Sequence, residues 1–230
     1  SHAVAVEKVF QRIFLEDGVL SIDGFEYNFT EDARSAQSQA QVFSIMLESL
    51  FEGRFPLHPY FSQIIRMKEV STLVTDLFGG ADSKVDDVQA LADLYGAPLG
   101  IVTRANGSYV PADKDQLLEL PLVVEILNAV KKVGSDVLTL DEVFLKLSAV
   151  PHGLVREASY LILAAMVSAR MLEFVTSNED RINHRSLDLR LIWDDIVGVA
   201  TPGAAGYSND RLVFWAKLLT GKDELKELET

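Results

Sequence analysis

Residues 148 to 175, SAVPHGLVREASYLILAAMVSARMLEFV, decide how the rest of the chain is read. Pro151-His152-Gly153 marks a turn, because glycine reaches backbone conformations that other residues avoid. A helical run follows, carrying Leu154, Tyr160, Leu161, Ile162, Leu163, Met166 and Val167, and it leads into the strand-like LEFV. A helix entered from a tight turn and followed by a strand is how a winged helix presents its DNA-reading element. A reading helix, however, needs an exposed face of Arg, Lys, Asn or Gln to meet base edges. This one offers only Arg156, Glu157, Ser159, Ser168 and Arg170. A helix apolar nearly all round is buried on most sides. The expectation is a winged helix whose reading face has become packing surface.

Upstream, Leu122 to Val133 has helical spacing, VLTL (137–140) is a short strand-like link, and Asp141 to Leu147 is a short helix. Downstream, MLEFVTSNEDRINHR supplies two short strands around Ser177 to Asp180. The order helix, strand, helix, turn, helix, hairpin is that of a winged helix-turn-helix. Two helices are expected between Ser62 and Tyr95, the first ending at Gly79-Gly80 and the second starting near Lys84. Asn106-Gly107 then sits between GIVTR and SYVP, and Asn-Gly is the preferred pair for a type I′ hairpin. Helix, helix, hairpin reads as a second, fainter winged-helix-like unit.

At the start of the chain Val4, Val9, Phe10, Ile13 and Phe14 share a helical face, and residues 19–29 alternate around Gly24 as a hairpin. Thr30 with Glu31 and Asp32 opens a helix whose apolar stripe is Val42, Phe43, Met46, Leu47 and Leu50, ended by Gly53 and Pro56. Near the other end, Ser208 caps a helix carrying Leu212, Phe214, Trp215, Leu218 and Leu219, followed by a charged tail. The fold class expected is mainly α, α+β, with winged-helix-like modules, two in tandem, and small β-hairpins. The divisions are 1–60 (helix and hairpin), 61–118 (first helical unit with hairpin), 119–198 (winged-helix-like domain) and 199–230 (loop and helix).

The 230 residues are 48% hydrophobic and 24% charged, an ordinary globular composition. The longest apolar run, around Tyr160 to Val167, is far short of the roughly 20 residues of a membrane span. No secretory leader is read, and the absence of cysteine fits a reducing cytoplasm. It also removes disulfides, thiolate metal sites and cysteine nucleophiles. With 34 acidic against 21 basic residues the formal charge is −13. Nucleic-acid affinity rests on cations that neutralise phosphates, so a protein partner is expected.

No motif for catalysis emerges. AKLLTGKD (216–223) lacks the first glycine of a phosphate loop and puts Asp223 where a hydroxyl is needed; it reads as a helix ending at Gly221. His2, His58, His152 and His184 show no metal-binding spacing. Asp194-Asp195 are read as surface charge on a helix. No cofactor and no metal are therefore expected. The densest basic cluster is Arg170, Arg181, His184 and Arg185, flanked by Arg190. On a DNA-binding reading these would be the nucleic-acid contacts; matched by Glu173, Glu179, Asp180 and Asp188, they also read as a solvated hairpin.

Three stretches taken in order, LFEGRFPLHPYF, VQALADLYGAPLGIV and LTLDEVFLKLSAVPHGLVREASYLILAAMV, resemble a region of the large P-loop ATPases of bacterial phage-resistance systems. These are of the BREX and phage-growth-limitation type (PglY-like and BrxC-like proteins). Pro56, His58, Pro59 and Phe61 approximate one phrase of that family. Pro151, Gly153, Leu154 and Arg156 with Leu161 to Ala165 approximate another, with Val155 inserted. The resemblance spans about residues 50 to 197 and implies a cytoplasmic, non-catalytic piece of an ATP-dependent defence protein. Its partners would be other parts of that protein or other defence subunits.

Overall fold

The computed structural model describes residues 18–22, 24–134, 137–187 and 191–203, together with 6, 9, 13 and 15. The expected positions Val4, Phe10 and Phe14, and the helix from Ser208, lie outside the described residues. The protein is α+β and divides into two compact units, Ser1–His58 with Val150–Gly153, and Pro59–Ala149 with Leu154–Thr230.

In the first unit β1 (Leu20–Ile22) and β2 (Phe25–Tyr27) form the expected hairpin, turning at Gly24 with φ +83°. Thr30 caps α1 (Glu31–Arg34), its hydroxyl accepting from the Ala33 amide at 3.2 Å. The sequence reading runs one helix from Thr30 to Gly53; instead the chain breaks after α1 and restarts as α2 (Gln39–Arg54), capped by Ser38. The cause is local. The Ser35 hydroxyl bonds the Asp32 carbonyl and Ser38 caps the next helix, and such bonds compete with helix propagation.

The unit's core is Leu15, Ala33, Ala36, Val42 and Met46. Phe43 and Leu47, expected to point inward, are 45% and 52% exposed. The apolar arc of α2 is wider than the hairpin and α1 can cover. Beyond α2, the turn Val150–Gly153 is tied to the turn at Phe55–His58. The Leu57 amide donates to the Pro151 carbonyl at 3.1 Å, and His58 Nδ1 lies 2.9 Å from the His152 carbonyl. Gly153 (φ +62°) sits under Phe55, where a Cβ would lie 2.6 Å from the ring.

The second unit begins with α3 (Met67–Thr72), which widens into a π-helical segment, Leu73–Phe78. α4 (Asp86–Leu91) does the same over Ala92–Gly96 before α5 (Ala97–Leu99). β3 (Val102–Ala105) and β4 (Ser108–Pro111) pair antiparallel, with Asn106 and Gly107 both at positive φ, as a type I′ turn demands. Gln89 locks this hairpin down, its side-chain amide donating to the carbonyls of Ser83 (2.6 Å) and Tyr109 (3.0 Å).

Then come α6 (Lys114–Leu118), α7 (Pro121–Val133), β5 (Leu138–Thr139), α8 (Leu140–Ser148) and α9 (Arg156–Ser168). Capping boxes open α6 (Asp113 with Gln116) and α8 (Thr139 with Glu142), each cap contributing about 1 kcal/mol. The two hydrogen bonds from Thr139 hold the Glu142 carboxyl below its usual range. β6 (Glu173–Thr176), β7 (Arg181–Ile182) and β8 (Ile196–Ala200) complete a four-stranded antiparallel sheet in the order β5-β8-β6-β7.

One reading beside β8 is corrected. Asp194 and Asp195 lie in a single 3-10 turn, Trp193–Asp195, and the IVGVA that follows is the strand paired on both sides. The expected hairpin β6–β7 is present; β7 is the sheet edge, and the strand beside β5 is β8. Residues on both sides of position 118/119 share one continuous core. It joins Val70 and Leu77, Ile126 and Val130, Val143 and Leu147, Leu161 and Ile162, and Phe174 and Val199. No helix among the described residues is long and apolar enough to cross a membrane.

Candidate functional site

Helix α9 is where a reading surface would have to be. Ala158, Ser159 and every residue from Leu161 to Val167 are buried. The reason lies in its surroundings: α9 packs against α3 with its π-helical extension and against α8, leaving little of its circumference to solvent. Its polar groups turn back on the protein. The Ser159 hydroxyl donates to the Val155 carbonyl at 3.0 Å and that of Ser168 to the Phe78 carbonyl at 3.1 Å. Tyr160, half-buried, lies against Trp193 with ring centroids 4.6 Å apart, and burial raises its phenol pKa. Within the helix only Arg156, in the first turn, is exposed, while Glu157, Tyr160 and Ser168 are partly buried; Arg156 lies over the Phe144 ring and 3.9 Å from Asp141.

The four basic residues singled out in the sequence lie close to one another, but not as four free cations. Arg181, on β7, has its guanidinium 4.0 Å from the Glu173 carboxylate, both side chains largely buried at 17% and 15% exposure. Arg170 follows α9 at φ +60° and is exposed, as is Arg185. Burial lowers the His184 pKa, the charges of Arg170 and Arg185 lower it further, and Glu173 opposes them. Of the four, Arg170 and Arg185 are the exposed guanidiniums, and Arg181 is paired. Arg190 and Asp188 lie outside the described residues.

A cavity of about 450 Å³ that the sequence reading missed lies between α3 with its π-helical extension and residues 191–193. Lys68, Ser71, Thr72, Thr75 and Asp76 line one side, and Trp193, whose indole N–H donates to the Ser71 hydroxyl at 2.9 Å, the other. The spacing of those five polar residues was the available signal, but it is also that of any solvated helix face. They hold no nucleophile paired with a base. Among the described residues no three His, Asp or Glu side chains converge as metal ligands. His58 and His152 meet through a main-chain carbonyl, which makes them part of a turn contact. Comparison of the chain with protein-family models, curated proteins and solved structures finds no match.

Proposed function

We propose that this chain is a non-catalytic protein-docking module of a larger ATP-dependent phage-defence protein, in which a winged-helix-like segment has been turned into scaffold. The observation that carries the reading is the burial of α9: with every side chain from Leu161 to Val167 facing protein, the helix beyond its first turn has little surface left for base edges. The order α7, β5, α8, α9, β6, β8 supports a winged-helix ancestry, with the β6-to-β8 connection, β7 inside it, in the place of the wing. The parent family rests on the stretches quoted above. The two phrases around Pro56 and Pro151 are hydrogen-bonded across 94 residues, as parts of one structural unit would be. Partners would be other segments of the parent protein or other defence subunits. A cytoplasmic location goes with the reading, on the absence of cysteine.

The rival reading, DNA contact through the hairpin, is favoured by one observation: Arg170 and Arg185 are both exposed and stand near His184. Fluorescence anisotropy of a labelled duplex at ~150 mM salt separates the two. The expected result is no binding in the micromolar range. Submicromolar binding that weakens with added salt and is lost in Arg170→Ala/Arg185→Ala overturns the docking reading. The parent assignment has its own test in the complete reading frame, which should encode a phosphate-binding loop; a complete frame without one refutes it.

A further inference from the structure

The cavity between α3, its π-helical extension and residues 191–193 has its far wall fixed by a contact across 122 positions, the Trp193 indole N–H donating to the Ser71 hydroxyl. At about 450 Å³ it falls within the range of small-ligand sites, roughly 300–1,000 Å³. A rare backbone feature coincides with it. Over Leu73–Phe78 the helix bonds from i to i+5, as in the Gly79 amide donating to the Val74 carbonyl at 2.8 Å. Such segments occur frequently at functional sites. The extra residue in the turn lets Val74, Thr75 and Asp76, three in succession, line one cavity.

Three of the polar side chains in the lining are unpartnered. Thr72, Thr75 and Asp76 are each half-buried, and among the described residues none of the three has a side-chain hydrogen bond or ion pair. Sequestered polar groups are ordinarily partnered. Together they offer two hydroxyl oxygens and a carboxylate as acceptors. A primary ammonium, with three donors and no acceptor, matches this set; a guanidinium, with five donors in one plane, would leave two of them without partners. The carbon stem of an amine has its own surface here, since Val74 is buried and Leu191 and Trp193 are half-buried.

Charge selects the same ligand. Lys68, at the N-terminal end of the cavity, is exposed and makes no ion pair with Asp76, so the carboxylate is not already neutralised. Asp82, whose amide donates to the Asp76 carbonyl at 3.2 Å, and Asp194 and Asp195, which follow Trp193, add exposed carboxylates nearby. An anion would meet Asp76, and a chain of net charge −13 draws cations. We propose that this cavity binds a primary alkylammonium group, its nitrogen donating to Asp76, Thr72 and Thr75 and its methylenes lying along Val74, Leu191 and Trp193. The group is either a lysine side chain of a partner or a free small amine. The site is independent of the docking reading, which an empty cavity would leave intact.

The test is an NMR titration of the Trp215→Phe chain, in which the one indole N–H resonance belongs to Trp193. An end-blocked glycine peptide with a single lysine, and separately 1,4-diaminobutane, should shift that resonance and the amides of residues 68–76 saturably. The expected Kd is about 1–5 mM at low salt, weakening as salt is added. The same peptide acetylated on the lysine nitrogen should not bind. Asp76→Asn should weaken binding roughly 10-fold or more and Thr75→Val roughly threefold, each at an unchanged urea midpoint, while Lys68→Ala should tighten it. Tighter binding of the peptide assigns the ammonium to a protein side chain, and tighter binding of the diamine to a free amine; both support the site. No saturable shift with either probe overturns it, as does equal binding of the acetylated peptide or wild-type affinity in a folded Asp76→Asn. Should Asp76→Asn fail to fold, the acetylated peptide and Thr75→Val decide.

Discussion

Truncating Ile162 to alanine tests the assignment of α9 to the interior. Ile162 is fully buried in the shared core of the second unit. The change removes three carbons, which at ~0.8 kcal/mol each amounts to about 2.4 kcal/mol of transfer free energy. The close-packed surroundings collapse only partly, so a cavity contribution brings the cost to about 3–4 kcal/mol. With a urea dependence of about 2–3 kcal/mol per molar, the unfolding midpoint should fall by about 1–2 M at unchanged slope. The assay is tryptophan emission in a Trp215→Phe background. The signal then comes from Trp193, which packs against Tyr160 of the same helix. Arg156→Ala, at a side chain 71% exposed, is the control and should cost less than about 1 kcal/mol despite its contacts with Asp141 and Phe144. If Ile162→Ala costs no more than this control, α9 has a free face and the account of a lost reading surface is wrong.

Two further expectations follow from backbone contacts and from the basic cluster. At Gly198 in β8 a Cβ would lie 2.4 Å from both the Leu138 carbonyl oxygen and Val137 Cγ1. Gly198→Ala should therefore push β5 from the sheet at a cost of about 2–3 kcal/mol, seen as a Tm lower by roughly 5–10 °C; an unchanged Tm would refute the β5–β8 register. His184 should titrate below the usual imidazole value of about 6.5, chiefly because it is partly buried and further because Arg170 and Arg185 stand near it. A depressed folded pKa means that the unfolded chain takes the proton more readily, so His184's contribution to stability is full above about pH 6.5 and is lost as pH falls through the folded value. An NMR titration should show that midpoint rising in Arg170→Ala or Arg185→Ala, and a midpoint unmoved by both changes would show the cluster is not assembled.

Local chemistry carried much of this fold in plain view. Asn106-Gly107 specified its hairpin because only a few residue types accept positive φ twice in succession, and Thr30 marked a helix start. The unbroken apolar run after Arg156 announced a buried helix, since no orientation of it could keep those side chains out of water except enclosure. Patterns that depend on a distant partner were harder to read. The IVGVA of β8 has no alternation, so its strand character came from pairing with β5 and β6. The break between α1 and α2 turned on two serines whose hydroxyls compete with the helix backbone.

The candidate sites divide along the same line. The basic residues Arg170, Arg181, His184 and Arg185 could be picked out by proximity in sequence, but their composition could not tell that Arg181 would be spent on Glu173. The cavity beside Trp193 needed residues 68–76 and 191–193 on one surface, a juxtaposition more than a hundred positions apart. By itself the sequence determined the hairpins at Gly24 and at Asn106-Gly107 and that the helix after Pro151 is core, because those follow from local backbone preference and from the cost of hydrating nonpolar groups. Tertiary structure alone decided which strip of α2 is covered, which strand sits beside β5 and which arginine is neutralised, because each depends on what the rest of the chain brings to the other side of the contact.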